Sequence, residues 1–364
     1  MSQPLKIAVI AGDGIGPEVT GAALRVLQAA APGHGLDYTT AEHPFSAAHF
    51  LETGHVLDDA DIATLRACDA ILLGAVGGLP NDPRLAGGVI EKGILLRLRF
   101  ELDQYINLRP VTLYPGIETP LKGKGPADID FVCVRENTED LYCGLGGILR
   151  AGTPHEVANQ TMVATRMGAE RCTRYAFELA KTRRRKHLTL VHKTNVLTYA
   201  GETWRRAFDE LAAEYPDVST GYHHVDACCM YMVTTPEVYD VIVVPNMFGD
   251  IITDLGAAIA GGMGIASSGN LNPSGAAPSM FEPVHGSAPD IAGQNAANPI
   301  AAIDSLGLLL RETGRIKGSG PAVACGEQIG AAVQRVTPQF AGKRLDRSGM
   351  ATDQIAQLVI DALA

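Results

Sequence analysis

Runs of four to six apolar, often β-branched residues recur along the chain, each followed by a glycine or polar break and then by sequence with helical periodicity. Ile7–Ala11 precedes the helical pattern of Pro17–Ala30, and Asp69–Leu73 precedes a glycine-rich loop. Leu188–His192 and Val241–Val244 each lead through a loop into helix-like sequence. Alternation of this kind predicts an α/β protein with a largely parallel sheet. The pattern changes twice, where residues 107–124 and 261–289 turn to Pro, Gly, Ser and Asn. Both segments are expected to be crossings between lobes, one lobe formed by residues 1–104 with 261–364 and the other by 105–260.

Length supports that division, because 364 residues exceed what one core usually serves. With 46% apolar and 19% charged residues the chain reads as soluble and globular. A net charge of -10 argues against a nucleic-acid partner, and the one basic run, Arg183–His187, is expected to be a solvated helix end. Seven cysteines without C-x-x-C spacing point to a reducing, cytoplasmic setting. The opening MSQPLKIAVIAG has no cationic flank or cleavage site, and nowhere do 18 apolar residues follow one another, so neither export nor a membrane span is expected.

Charge becomes informative at Asn246–Gly256, where Asp250 and Asp254 stand four apart among Ile, Leu, Met, Phe and Gly. On a helix such residues share a face, and two carboxylates there repel unless a cation lies between them. Oxygen ligands suit Mg²⁺ or Mn²⁺, and Asp226 in another strand-to-helix junction is a third candidate. Asp250 alone is equally well read as a helix N-cap, a role not open to Asp254. A second cluster is basic: Arg97, Arg99, Arg109 and Arg135, the last ending the apolar run Phe131–Val134. Guanidinium forks bind carboxylates, so arginines converging near a metal suggest a small polycarboxylate, whereas each alone is an ordinary surface ion pair.

Lys193 closes an apolar run and Tyr142 lies in a polar loop; they are the candidate base and acid. For Tyr142 the residues alone favour packing. The loop Gly12–Glu18 follows a strand and opens a helix with Pro17 in its first turn, as a phosphate-cradling loop does, but it is not G-x-G-x-x-G and does not support a Rossmann fingerprint. His285–Gly293 has small residues for close approach and one acid, Asp290, suited to a ribose diol; by pattern alone it is an ordinary turn.

Taken in order, Gly12–Glu18, Asn107–Pro110, Val134–Tyr142, His192–Asn195, Val225–Asp226, Asn246–Asp254 and Glu282–Asp290 resemble the motifs of the β-decarboxylating dehydrogenases of 2-hydroxy acids, the isocitrate/isopropylmalate dehydrogenase family, across nearly the whole chain. The resemblance implies a two-lobe α/β fold that is not Rossmann, with a discontinuous first domain, and a homodimer clasped by an arm at residues 143–160. It implies Arg99, Arg109 and Arg135 as substrate-carboxylate clamps, Asp226, Asp250 and Asp254 as ligands of Mg²⁺ or Mn²⁺, and Tyr142 and Lys193 as proton donor and acceptor. Lys193 and Asp226 would serve the neighbour's site, with Asp226 also close to the substrate. For NAD it implies His285, Gly286, Ser287, Ala288, Asp290 and Ile291, with Asn298 near the adenine and Asn195 near the nicotinamide; a carboxylate at Asp290 would repel a 2′-phosphate.

Leu95 and Leu96 lie four and three residues before Arg99, and on a helix they wall its face with hydrocarbon. Together with Val196 they imply a malate carrying an alkyl group, 3-isopropylmalate first, because burying a third carboxylate against leucines is costly. The alternative for the leucines is the protein core. The run Glu136–Tyr142 leans instead toward the isocitrate and homoisocitrate branch, which keeps other 3-substituted malates as the alternative.

Overall fold

A computed structural model describes residues 3–78, 82–341 and 349–364. Among the described residues the twelve strands are β1 (Leu5–Gly12), β2 (Tyr38–Glu42), β3 (Ala70–Ala75), β4 (Ile106–Thr112), β5 (Asp130–Glu136), β6 (Gly146–Leu149), β7 (Val157–Gln160), β8 (His187–His192), β9 (Ser219–His224), β10 (Val241–Val244), β11 (Ser267–Leu271) and β12 (Ser279–Pro283). Ten form one sheet in the order β2-β1-β3-β12-β11-β4-β5-β10-β8-β9, and β6 and β7 form a separate hairpin. Within the ten-stranded sheet the pairings are parallel except where β11 meets β12 and β4, and where β4 meets β5; the β6–β7 hairpin is antiparallel. Strands from residues 1–104 and 261–364 occupy one half of the order, and those from 105–260 the other.

The apolar runs fold as their pattern predicts, since β3 and β10 are buried along their whole length, as parallel strands covered on both faces must be. The two expected crossings carry strands as well as loops. Residues 107–124 and 261–289 supply most of β4 and all of β11 and β12, three buried central strands. Pro110 is tolerated in β4 because β11 pairs only with residues 106–108, leaving the strand without a second neighbour beyond them. The polar residues of β11 are satisfied across strands: the Asn107 and Asn137 side-chain amides donate to Asn270 Oδ1 at 3.1 and 2.9 Å, and Asn270 Nδ2 donates to Glu282 Oε1 at 2.8 Å. Hydrophobic periodicity is blind to a strand stabilised in this way.

The basic run is a second correction. Arg183 follows helix Arg166–Thr182 and, instead of facing water, donates to Asp240 Oδ1 at 2.6 Å and to Asp130 Oδ1 at 3.0 Å. Arg185 donates to the Asp130, Tyr239 and Glu237 carbonyls. These arginines staple the starts of β5 and β10, and the Asp240 side chain is 2% exposed. The β6–β7 hairpin differs from everything else. All its residues are exposed, including Ile148, Leu149 and Val157, and a lone two-stranded ribbon showing apolar side chains is unstable without a cover. No helix of the described residues is long and apolar enough to cross a membrane.

Candidate active site

β5 ends at Glu136 and β10 at Val244, and the chain after β10 turns into helix Asn246–Ile259. Asp250 sits in the second turn of that helix, not at its N-cap, which is Pro245, so capping does not account for it. Its Oδ1 accepts from Arg135 Nη1 at 2.5 Å and its Oδ2 from the Tyr142 hydroxyl at 2.8 Å. Arg135, 1% exposed, is steered by Asn246, whose carbonyl and side-chain oxygens accept from its Nε at 2.8 and 3.0 Å. Gly249 is required where Arg135 crosses the helix, since a Cβ there would lie 2.4 Å from Arg135 Cγ. Tyr142 is brought in by a short helical turn, Asp140–Cys143, in which Asp140 adopts φ 71° and is held by the Met247 amide at 2.8 Å. The tyrosine is therefore joined to Asp250 rather than merely packed, and its ring lies 5.2 Å from the Arg135 guanidinium carbon.

Three guanidiniums converge here. Arg109 lies 3.6 Å from Asp250 and 3.7 Å from Asp254, and its Nη1 donates to Thr253 at 2.7 Å. Arg99 reaches Glu282 at 3.4 Å. Arg99 Nε and Arg109 Nε are buried without a hydrogen-bond partner. Burial, and then the charge of Arg135, draw the Arg109 pKa down to about 10, so it remains a cation at neutral pH. Burial raises Asp254, Arg109 opposes this, and Asp250 adds to it; Asp250 is itself lowered because Arg135 and Arg109 outweigh its burial. Burial also raises Tyr142, which keeps its proton at neutral pH. Arg97 does not join the cluster: it pairs with Asp59 at 2.5 Å and with the Leu57 carbonyl.

Lys193 and Asp226 stand apart as a pair of their own, 2.8 Å from each other, at the end of β8 and the first turn of helix Val225–Thr234. Asn195 and Val196 are exposed beside them, and Val196 is 66% exposed. A single chain thus assembles Asp250 and Asp254 without the third carboxylate. Among the described residues the only set of three His, Cys, Asp or Glu ligand atoms within 4.8 Å is His55, Asp58 and Asp61. There Asp58 and Asp61 already form a capping box for helix Asp59–Arg66. The segment before Arg99 was expected to be α-helical; Glu91–Leu96 is a π-turn that passes into α-helix at Arg97. Leu95 packs partly on the apolar cluster around Ile94 and Leu98, and Leu96 is half-buried.

The first glycine loop is not a free phosphate cradle. Asp13, missed by sequence reasoning, accepts from the Ala47 and Gly77 amides at 2.7 and 3.0 Å, and the Ile15 amide donates to the Ser287 carbonyl at 2.8 Å. Gly14 lies so close to that carbonyl that a Cβ would be 1.9 Å from it. The loop is a bracket for His285–Gly293, in which Ala288 takes φ 39° and Asp290 is exposed. Gly286 is exposed, Ser287 buried and Ile291 half-buried. His285 Nε2 is buried with no hydrogen-bond partner, and burial lowers the ring's pKa. Asn298 is buried where its Oδ1 accepts from the Ile300 amide at 3.0 Å, at the start of helix Ile300–Lys317.

A family model described as isocitrate/isopropylmalate dehydrogenase matches residues 6–359. The chain belongs to that family. Among curated members of the family, it is 60% identical over 314 residues to the 3-isopropylmalate dehydrogenase of Clavibacter michiganensis subsp. michiganensis, covering 86% of this chain and 88% of that one. It is 58% identical over 313 residues to that of Thermobifida fusca, covering 86% and 87%. The isocitrate dehydrogenase of Methylococcus capsulatus, also similar, superposes with a TM-score of 0.85 at 33% identity over 99% of both chains.

Proposed function

We propose that this chain catalyses the NAD-dependent oxidative decarboxylation of 3-isopropylmalate to 2-oxo-4-methylpentanoate, with Mg²⁺ or Mn²⁺, as a homodimer in the cytoplasm and as a step of leucine biosynthesis. The observation that carries the reading is the convergence of three buried cations, Arg99, Arg109 and Arg135, the first two with an unused Nε donor, on a carboxylate pair and a tyrosine hydroxyl. Curated relatives named 3-isopropylmalate dehydrogenase support the substrate, and Leu95, Leu96 and Val196 would meet its alkyl group. A related dehydrogenase of another 3-substituted malate is the second reading, supported by the structural likeness to an isocitrate dehydrogenase.

The unused donors of buried Arg99 and Arg109 suit a substrate with two carboxylates, which the arginine forks would orient. Asp250 and Asp254, with Asp226 from a second copy of this chain, are an all-oxygen donor set that fits a hard divalent cation. When bound, that cation acidifies the substrate hydroxyl, and NAD accepts the hydride. Lys193, likewise from the second copy, would take the hydroxyl proton, and Tyr142 would return one to the carbon that CO₂ leaves, so the two transfers balance. The apolar, uncovered hairpin at 143–160 suits the clasp of such a dimer, and the two halves of the sheet suit lobes 1–104 with 261–364 and 105–260. For the nucleotide, His285, Gly286, Ser287, Ala288, Asp290, Ile291, Asn195 and Asn298 are the candidate contacts. The unpartnered His285 nitrogen and the exposed Asp290 carboxylate fit a ligand rich in hydroxyls.

The test is an assay of NADH formation with Mn²⁺, offering 3-isopropylmalate, isocitrate, homoisocitrate, tartrate and malate in parallel, with NADP⁺ as the second cofactor. Preference for 3-isopropylmalate with NAD⁺ is expected. Preference for a tricarboxylate would overturn the assignment of Leu95 and Leu96, and equal use of NADP⁺ would overturn that of Asp290.

A further inference from the structure

Lys193 and Asp226 are drawn from different elements, and both are partly exposed, their side chains 25% and 67% accessible. An ion pair in that position is too weak to fix two side chains by itself. What joins their backbones lies one residue after Lys193 and two residues before Asp226. Tyr222, in β9, places its hydroxyl 2.8 Å from Thr194 Oγ1 and 2.9 Å from His224 Nδ1, and it accepts from the Thr194 amide at 3.3 Å. Thr194 directly follows Lys193, and His224 is the N-cap residue of the helix whose first turn holds Asp226.

One phenol oxygen has one proton to give and two lone pairs to offer. With the Thr194 amide on one lone pair, two arrangements satisfy the rest. Either the Thr194 hydroxyl donates to the phenol and the phenol to His224, or the phenol donates to Thr194 and His224 donates to it. The junction is closed in both, so it does not depend on which tautomer His224 adopts.

Gly201 of helix Thr198–Ala212 approaches the loop so closely that a Cβ would lie 2.8 Å from Thr194 Cα. Thr194, Gly201 and Tyr222 line one open cleft of about 520 Å³ with Arg205 and Thr198. Arg205 lies over the Tyr222 ring at 5.4 Å, and the His224 ring meets it edge-on at 5.3 Å, so the phenol itself is well held.

We propose that Tyr222 is a positioning residue for the reaction: its hydroxyl locks the Lys193 loop to the Asp226 helix, so that base and metal ligand are presented as one unit. The inference rests on the reading of Lys193 and Asp226 given above. Tyr222 touches neither substrate nor cofactor, and acts through the geometry of that pair.

Four variants test it: Tyr222→Phe, Thr194→Val, which cuts the same link from the loop side, the double variant of these two, and Lys193→Met as the control. Readouts are kcat, KM, the Mn²⁺ dissociation constant of the enzyme without substrate or NAD (by electron paramagnetic resonance), and the thermal midpoint. For Tyr222→Phe, kcat is expected to fall roughly ten- to a hundredfold, as a displaced base would cause, with KM for 3-isopropylmalate within about twofold and Mn²⁺ binding several-fold weaker. Thr194→Val should act in the same direction, and the double variant should be little worse than either. Wild-type kcat and Mn²⁺ affinity in Tyr222→Phe, with Lys193→Met inactive, would overturn the positioning role alone. Loss of kcat only in proportion to a lowered thermal midpoint, with Mn²⁺ affinity intact, would reduce Tyr222 to a structural residue and also overturn it. Turnover surviving in Lys193→Met would overturn the underlying reading of the site.

Discussion

At the N-terminal ends of β5 and β10, Arg183 and Arg185 meet Asp130 and Asp240; at the C-terminal ends of the same strands, Arg135, with Arg109 and Arg99 beside it, meets Asp250. The residue types are the same, but their use differs. At the first end the guanidiniums also donate to the Asp130, Glu237 and Tyr239 carbonyls, and the buried Asp240 also accepts from the His187 amide at 3.2 Å. At the second, two buried guanidinium nitrogens go without an acceptor, and Asp254, 63% exposed, faces Arg109 only at 3.7 Å. A completed ion network holds strands together. One with buried donors to spare is organised for something that is not part of the chain.

The largest difference should appear on removing charge from the second end. Arg109→Met is expected to lower kcat/KM by roughly a hundred- to a thousandfold, the loss of one or two charge-assisted hydrogen bonds to a carboxylate. The thermal midpoint should hardly move, since Arg135 still serves Asp250 and a repulsive neighbour is gone. Comparable loss of stability and activity would show that Arg109 is a staple like Arg183, and the comparison would fail.

What sequence reasoning could see follows from the range of the interactions involved. β10 and helix Asn246–Ile259 are written locally, in an apolar run and a four-residue carboxylate spacing, and both appear where expected. The central strands β4, β11 and β12 are not, because the side-chain amides of Asn107, Asn137 and Asn270 donate to acceptors up to 163 positions away, and a pattern of apolar residues says nothing about that. The same limit hid the staple: Arg183 finds Asp240 at a separation of 57 residues, and on sequence alone a run of five basic residues resembles a solvated end. Tyr142 was weak as a lone tyrosine in a loop, and gains its meaning only from Asp250, 108 residues on. Asp13 gave no signal beyond its place between two glycines, since the amides it caps belong to residues 34 and 64 positions later.

The reciprocal change at the first end sharpens the comparison. Arg183→Met leaves Asp240 buried with one fewer cation, at a cost of about 3 kcal/mol, enough to lower the thermal midpoint by several degrees. Turnover per folded molecule should stay at the wild-type level, because nothing in the staple approaches Arg135 or Lys193. Scanning calorimetry and initial rates on the same preparation decide it. A variant as stable as wild type would mean that Arg185, 3.7 Å from Asp240, carries the network alone.

The smallest effect concerns His192, at the C-terminal end of β8, where the contrast with Asp240 is sharpest. Its ring is fully buried against Trp204 and Phe248, and neither nitrogen has a hydrogen-bond partner. Burial, aided by His224, lowers its pKa from the ordinary 6.5 to about 4. The sign follows directly. Below pH 6.5 the unfolded chain binds a proton that the folded ring refuses, so stability contributed by the neutral ring is complete above pH 6.5 and is lost as pH falls toward 4. By pH 5 the loss is about 2 kcal/mol. His192→Leu removes the titration, so relative to wild type the variant should gain stability steadily between pH 6.5 and 4, whatever its offset at neutral pH. Parallel stability profiles for the two proteins would show that the ring finds a partner after all, and that this end of the sheet is as fully satisfied as the other.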